Sequence, residues 1–221
     1  MKFNSVVIVD GVRTAIGGFA GSLSGLTPEQ MGTATAQEVI KRSGVDAKQI
    51  DHAVYGHIIP TAAQDSYLAR HIALNSGLDE SSAAFNVSRL CGSGLQAIIS
   101  AAQMIESGDS KLALAGGAES MSQGGYLLPK VRSGLRMGHS TVQDLTLGTL
   151  SDPFGTGHMG ITAENIAEKY GFTREQLDEF SLASHQKAAA ATAEGRFAEQ
   201  IVPVAVRKGR EEVQFATDEH V

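Results

Sequence analysis

The chain is poor in cysteine: Cys91 is the only one among its 221 residues. No internal disulfide can form, and this usage fits a reducing compartment. Long apolar runs are absent too. None approaches the roughly 20 residues needed to span a bilayer. The opening run in MKFNSVVIVDGVRT is too short for a signal peptide and is broken by Asp10 and Arg13. Positive charge is scarce; 18 Lys and Arg against 24 Asp and Glu leave a net charge of −6, which argues against a nucleic-acid-binding surface. There is no Walker loop, no His-Glu-Xaa-Xaa-His and no Gly-Xaa-Ser-Xaa-Gly elbow. The glycine cluster GGFAGSLSG lacks the dinucleotide-binding spacing. The seven histidines (52, 57, 71, 139, 158, 185 and 220) show no ligand spacing, so no metal site is expected. A soluble, cytoplasmic protein that binds neither nucleic acid nor membrane is the reading that remains.

What is present is a globular composition, 42% hydrophobic and 19% charged, with 25 glycines. SVVIVDG reads as a buried strand ended by Asp-Gly. Thr27, Pro28 and Gln30 form a capping-box start for a helix carrying Met31, Ala34, Thr35 and Val39 on one face, with Gly44 as its stop. HAVYGHI, SAAFNVSRL and KLALAGGAESM read as further strands. DSYLARHIALNSG and the stretch from Gly92 to Gly108 read as helices, the latter with Leu95, Ile98, Ile99, Ala102 and Ile105 on one face. Strands alternating with helices of this length predict an α/β fold, a mostly parallel sheet with helices on both faces. From about residue 121 the glycine-rich chain loses any sustained period. Two helices follow, the second opened by a Thr173–Gln176 capping box, and then two strands joined at Lys-Gly-Arg.

Cys91 ends the third strand and stands at the mouth of a helix, between residues with little side chain. A lone cysteine is most often a small buried residue. At a helix N-terminus, unpaired N–H groups and the dipole favour thiolate over thiol, the form that attacks carbonyl carbon. Gly92 and Gly94 would leave room beside the sulfur, or would simply let helix and strand pack closely. Both readings stay open on spacing alone. His158, in the glycine-rich loop of FGTGHMGITAEN, is either a structural loop residue or a ligand contact. Lys130, Arg132 and Arg136 in PKVRSGLRMGH form either a solvated loop or one that touches an anion or a subunit.

Taken together, VDGVRTAIGGFAGSL, SRLCGSGLQAI, AGGAESMS, HMGITAEN and QIVPV…TDEH resemble the thiolase family in order and spacing, over the whole chain. The likeness is to bacterial acetyl-CoA acetyltransferases and broad-specificity β-ketothiolases. It implies a five-layer α-β-α-β-α architecture of two similar halves with a loop domain inserted in the first. On this mapping residues 1–120 are the first half-domain and 121–221 an incomplete loop domain, with the second half-domain absent from this chain.

The resemblance assigns Cys91 as the nucleophile that forms an acyl-thioester, its backbone N–H serving the oxyanion. Leu150, His158 and Met159 match positions that contact CoA. The basic stretch falls where relatives contact a subunit or the phosphates of the ligand. Ser88 departs from the asparagine many relatives carry, which bears on hydrogen bonding near the subunit contact. The family also uses a histidine from Gly-His-Pro, an asparagine from an Asn-Glu-Ala-Phe-type motif and a second cysteine from Cys-Xaa-Gly, none of which occurs in residues 1–221. These residues alone are therefore expected to be inactive. The implied activity is Claisen condensation of acetyl-CoA with an acyl-CoA, or its thiolytic reverse, in fatty-acid, polyhydroxyalkanoate or ketone-body metabolism. Acyl-CoA and CoA are the implied partners, no metal or redox cofactor is needed, and a homodimer or homotetramer is expected. The rival readings are a non-catalytic CoA-binding or assembly subunit with the same fold, and a decarboxylating condensing enzyme, against which CGSG and HMGITAEN argue.

Overall fold

The computed structural model describes residues 6–221 and divides them into two compact units. The first runs to Gln123 and regains the chain at Ala198–His220; the second is Gly124–Phe197 with Val221.

The first unit begins with an extended segment that enters a two-residue strand, β1 (Arg13–Thr14). Helix α1 (Pro28–Ser43) follows. Its capping box forms as expected: Gln30 N–H donates to Thr27 Oγ1 at 3.2 Å, and Thr27 N–H donates to Gln30 Oε1 at 2.9 Å. Gly44 ends it in the left-handed conformation (φ 67°), which costs a residue without Cβ nothing. Then come β2 (His52–Gly56), α2 (Leu68–Asn75), β3 (Ala83–Val87), α3 (Ser93–Ser107) and β4 (Ala113–Gly117). The three strands form a parallel sheet in the order β3-β2-β4.

Alternation along β2 and β4 sorts the core. Ala53, Tyr55 and Leu114 face α1 and α2, meeting Ala36, Leu68, Ile72 and Ala73. Val54, Ala113 and Ala115 face α3. The sheet is thus covered on both faces, as βαβ crossovers require.

Two expectations for this unit fail. The SVVIVDG run is not a buried strand: its Ser5 lies outside the described residues, residues 6–12 join no ladder, and Val7 and Ile8 are 78% and 77% exposed. A cavity of about 570 Å³ opens between this segment, α1, α3 and β4. An apolar run predicts burial, but a strand also needs a backbone partner in register, and among the described residues this one has none. On α3, the buried positions are Ser93, Ala97 and Ala101, while Leu95 and Ile98 are 65% and 41% exposed. The helix is amphipathic, with Gln96, Ser100, Gln103 and Ser107 along one side, but its bulky apolar residues centre on a different face from the small ones that pack. Small residues face Val54 because they let the helix lie close on the sheet.

The second unit is built of short pieces: β5 (Tyr126–Leu127), β6 (Gln143–Asp144), α4 (Leu145–Thr149), β7 (Ser151–Asp152) and β8 (Gly157–His158). Helices α5 (Met159–Tyr170) and α6 (Arg174–Ala193) complete it. Thr173 and Gln176 cap α6 reciprocally.

The chain then returns to the first unit through β9 (Ile201–Val202), parallel to β1, and the antiparallel hairpin β10 (Val204–Lys208) and β11 (Glu211–Phe215), turned at Gly209. The expected single segment 121–221 is therefore divided. Val204 and Val206 bury against Leu23 and Met31, and this contact draws Ala198–His220 out of the second unit.

Candidate active site

Parallel strands deliver all their carboxyl ends to one edge, where open α/β sheets place their ligand sites. Cys91 lies at that edge, shortly after Val87 ends β3, and it is exposed. The turn carrying it is tight. Gly92 N–H donates to Arg89 O at 3.1 Å and Ser93 N–H to Leu90 O at 3.0 Å. The Ser93 hydroxyl accepts from Arg89 N–H and donates to Leu90 O, both at 2.7 Å. Leu90, immediately before the cysteine, has φ 48°, a conformation that costs a branched residue about 1–2 kcal/mol. Gly92 is the N-cap of α3, so Cys91 stands one residue ahead of the helix mouth.

Close approach of helix and strand depends on a glycine outside the Cys-Gly-Ser-Gly stretch. A Cβ on Gly56, at the end of β2, would sit 2.7 Å from Ser93 C and 2.9 Å from Gly94 N. Around Gly94 there is open space, and Gly92 meets only Arg89 O at 3.4 Å. Of the two roles considered for these glycines, room belongs to Gly94, and close packing belongs to Gly56.

The same edge holds a charged cluster, buried at His57 and Asp65, that sequence reasoning did not find. His57 follows β2, Glu119 follows β4, and Asp65 lies on the turn before α2. His57 Nδ1 is 3.0 Å from Ala118 O and 3.1 Å from Glu119 Oε1; its Nε2 is 3.6 Å from Asp65 Oδ2. Burial alone would lower the His57 pKa, but the hydrogen bond to Glu119, the Ala118 carbonyl and the charges of Glu119 and Asp65 outweigh it and hold the pKa above 6.5. Asp65 is buried, which opposes ionisation, yet hydrogen bonds from Thr61 and Ala62 keep its pKa below the ordinary value. The signal available in the sequence was position: His57 and Glu119 each stand just past the carboxyl end of a parallel strand.

In the second unit, β7 and β8 form an antiparallel pair that brings Leu150, His158 and Met159 together. Met159 N–H donates to Leu150 O at 2.9 Å. His158 is the N-cap of α5; its Nδ1 accepts from Gly160 N–H at 3.0 Å, so the outer nitrogen, Nε2, is the one left to meet a ligand. Met159 is 50% exposed. Cys91 belongs to the other unit. Lys130, Arg132 and Arg136 are all exposed.

A family model described as the thiolase N-terminal domain matches residues 6–221. The chain belongs to the thiolase family. It is 51% identical over 217 residues to beta-ketothiolase BktB of Cupriavidus necator, covering 98% of this chain and 55% of that protein. The crystal structure of the Bacillus anthracis acetyl-CoA acetyltransferase superposes with a TM-score of 0.91 at 40% identity, covering 97% of this chain and 54% of that one. Human mitochondrial 3-ketoacyl-CoA thiolase in complex with CoA gives a TM-score of 0.90 at 32% identity, covering 96% and 53%. The chain therefore spans about half the length of the thiolases it matches, and its α/β architecture is theirs over that half.

Proposed function

We propose that the full-length protein is an acyl-CoA C-acyltransferase of the thiolase type, with Cys91 as its nucleophile. The observation that carries this reading is the exposed Cys91, held on a tight turn at the carboxyl edge of a parallel sheet in a thiolase-family chain. The Cys91 thiolate attacks the carbonyl carbon of an acyl-CoA. A tetrahedral oxyanion forms, the C–S bond to CoA breaks, and CoA leaves as the thiol after taking a proton. The Cys91 backbone N–H is one donor to the oxyanion, an interaction worth about 3 kcal/mol in comparable sites. A second base removes an α-proton from acetyl-CoA, and the enolate carbon attacks the acyl-cysteine. A carbon–carbon bond forms, 3-oxoacyl-CoA departs, and Cys91 is again a thiolate. Thiolysis is the same sequence reversed.

Leu150, His158 and Met159 are assigned to CoA, supported by their clustering on one hairpin. The reading includes no metal or redox cofactor, a cytoplasmic location and a homodimer or homotetramer. None of the helices described is long and apolar enough to cross a membrane. The test is intact-mass spectrometry of the full-length protein after incubation with acetyl-CoA, alongside turnover of acetoacetyl-CoA with CoA. A hydroxylamine-labile acetyl group on Cys91, lost in Cys91→Ser, is the expected result. CoA binding without adduct or turnover would instead identify a non-catalytic subunit.

A further inference from the structure

We infer that His57, clamped between Glu119 and Asp65, is a positioning residue for Cys91, tying together the strand ends that seat the first turn of α3. This rests on the proposed role of Cys91 but reaches a different part of the molecule.

Both ring nitrogens of His57 face acceptors only. Nδ1 meets a main-chain carbonyl and the Glu119 carboxylate; Nε2 has no hydrogen-bond partner among the described residues and lies 3.6 Å from the Asp65 carboxylate, an electrostatic contact. A neutral ring would turn a lone pair toward one of these anions, so the two carboxylates favour the imidazolium over the neutral ring. Its two carboxylates in turn grip the main chain beside it. Glu119 accepts from Ile58 N–H at 3.1 Å and Ile59 N–H at 2.9 Å. Asp65 Oδ2 accepts from Thr61 N–H at 2.6 Å, Thr61 Oγ1 at 2.8 Å and Ala62 N–H at 3.0 Å. One cation thereby holds a loop closed from both sides.

That loop is joined directly to the bed of α3. His57 N–H donates to Val87 O at 3.3 Å, at the end of the strand that leads to Cys91, and Ala118 N–H donates to Gly56 O at 3.2 Å. Asn86 on the same strand donates to Asp65 O at 2.8 Å. The residue before His57 is Gly56, which abuts Ser93; a Cβ on Gly117, close before Glu119, would lie 3.6 Å from Gly94 Cα. The clamp therefore fixes the two backbone segments against which the turn after Cys91 rests. Of the other elements packed at this end, β3 contributes Asn86 and Val87 and α3 contributes Ser93 and Gly94, none of them ionisable. Deprotonating His57 leaves the buried Asp65 carboxylate and the more exposed Glu119 without their shared cation, and the bed loosens.

The experiment follows the rate of Cys91 alkylation by iodoacetamide in the full-length protein from pH 5.5 to 9, in wild type, His57→Gln and Glu119→Gln. It needs no substrate. Wild type should show, beyond the thiol's own titration, a second inflection above pH 6.5. His57→Gln should lose that inflection and lower kcat about 10- to 100-fold with KM changed less than about 3-fold. Glu119→Gln keeps an acceptor for Ile58 and Ile59 but removes a charge, and should move the inflection to lower pH. It carries the test if His57→Gln does not fold. Superimposable profiles for wild type and His57→Gln, or an inflection unmoved in Glu119→Gln, would overturn the positioning role. Absence of an acyl-enzyme would sink the proposed function while leaving these profiles unaffected.

Discussion

Arg13 and Asp218 meet through two parallel hydrogen bonds, Nη1 to Oδ1 at 2.7 Å and Nη2 to Oδ2 at 2.9 Å, across 205 positions of sequence. Asp218 Oδ1 also accepts from Ile16 N–H at 2.8 Å. The neighbouring Glu219 carboxylate takes Gly18 N–H and Ser22 N–H. Asp218 and Glu219 thus staple the glycine-rich loop that follows β1.

Asp218→Asn keeps the shape and removes the charge. Hydrogen bonds to charged groups contribute about 1.5–3 kcal/mol each, and the Asp218 side chain is only 12% exposed. A loss of about 2 kcal/mol is expected, read as a lower urea midpoint with unchanged slope. The hydrogen bond from Arg13 lowers the Asp218 pKa. A carboxylate with a depressed folded pKa stabilises above its unfolded value, near 3.8, and loses that contribution as pH falls through the folded value. The wild-type advantage over Asp218→Asn should therefore be full at pH 6 and shrink below pH 4. An advantage that grows with acidification would contradict the staple.

His57 predicts the opposite slope. Its folded pKa is raised, so its contribution is fully present below the unfolded value of 6.5 and is lost as pH rises through the folded one. Urea midpoints of wild type and His57→Gln should differ most near pH 6 and converge at higher pH. Curves that stay parallel from pH 6 to 9 would mean that folding leaves the His57 pKa unshifted, and the ion pair with Glu119 would fall.

Much of the frame was readable because local chemistry and tertiary packing agree there. Thr27 with Gln30, and Thr173 with Gln176, mark helix starts by satisfying orphan N–H groups from within a few residues. Cys91 was found by its place between a strand and a helix. The His57–Asp65–Glu119 cluster was invisible because parallel pairing of β2 with β4, not sequence neighbourhood, brings Glu119 beside His57. The inner face of α3 was misread because Ala97 and Ala101 carry less apolar area than the exposed Leu95 and Ile98. Burial there is decided by closeness to Val54.

Gly56 and Gly94 separate close packing from open space. Gly56→Ala puts a methyl group 2.7 Å from the backbone of Ser93. Neither backbone can yield without moving the turn after Cys91, and overpacking of this kind costs about 1–3 kcal/mol. Gly94→Ala meets nothing within 4 Å, and in a helix the exchange gains up to about 1 kcal/mol. Thermal unfolding should place Gly56→Ala below wild type and Gly94→Ala level with it or above. The reverse order would mean that α3 does not lie on β2 as described.

His158 has two jobs that one substitution can part. Its Nδ1 caps α5 by accepting from Gly160 N–H, while its outer nitrogen is assigned to CoA. Asparagine is a strong N-cap, so His158→Asn should hold the stability of α5 while withdrawing the ring. His158→Ala removes both and should cost about 1 kcal/mol of stability as well. In the full-length protein both variants should raise KM for acetoacetyl-CoA about 10-fold, equivalent to about 1.4 kcal/mol of binding. If His158→Asn leaves KM at the wild-type value and only His158→Ala is impaired, the residue is a helix cap and the CoA assignment falls.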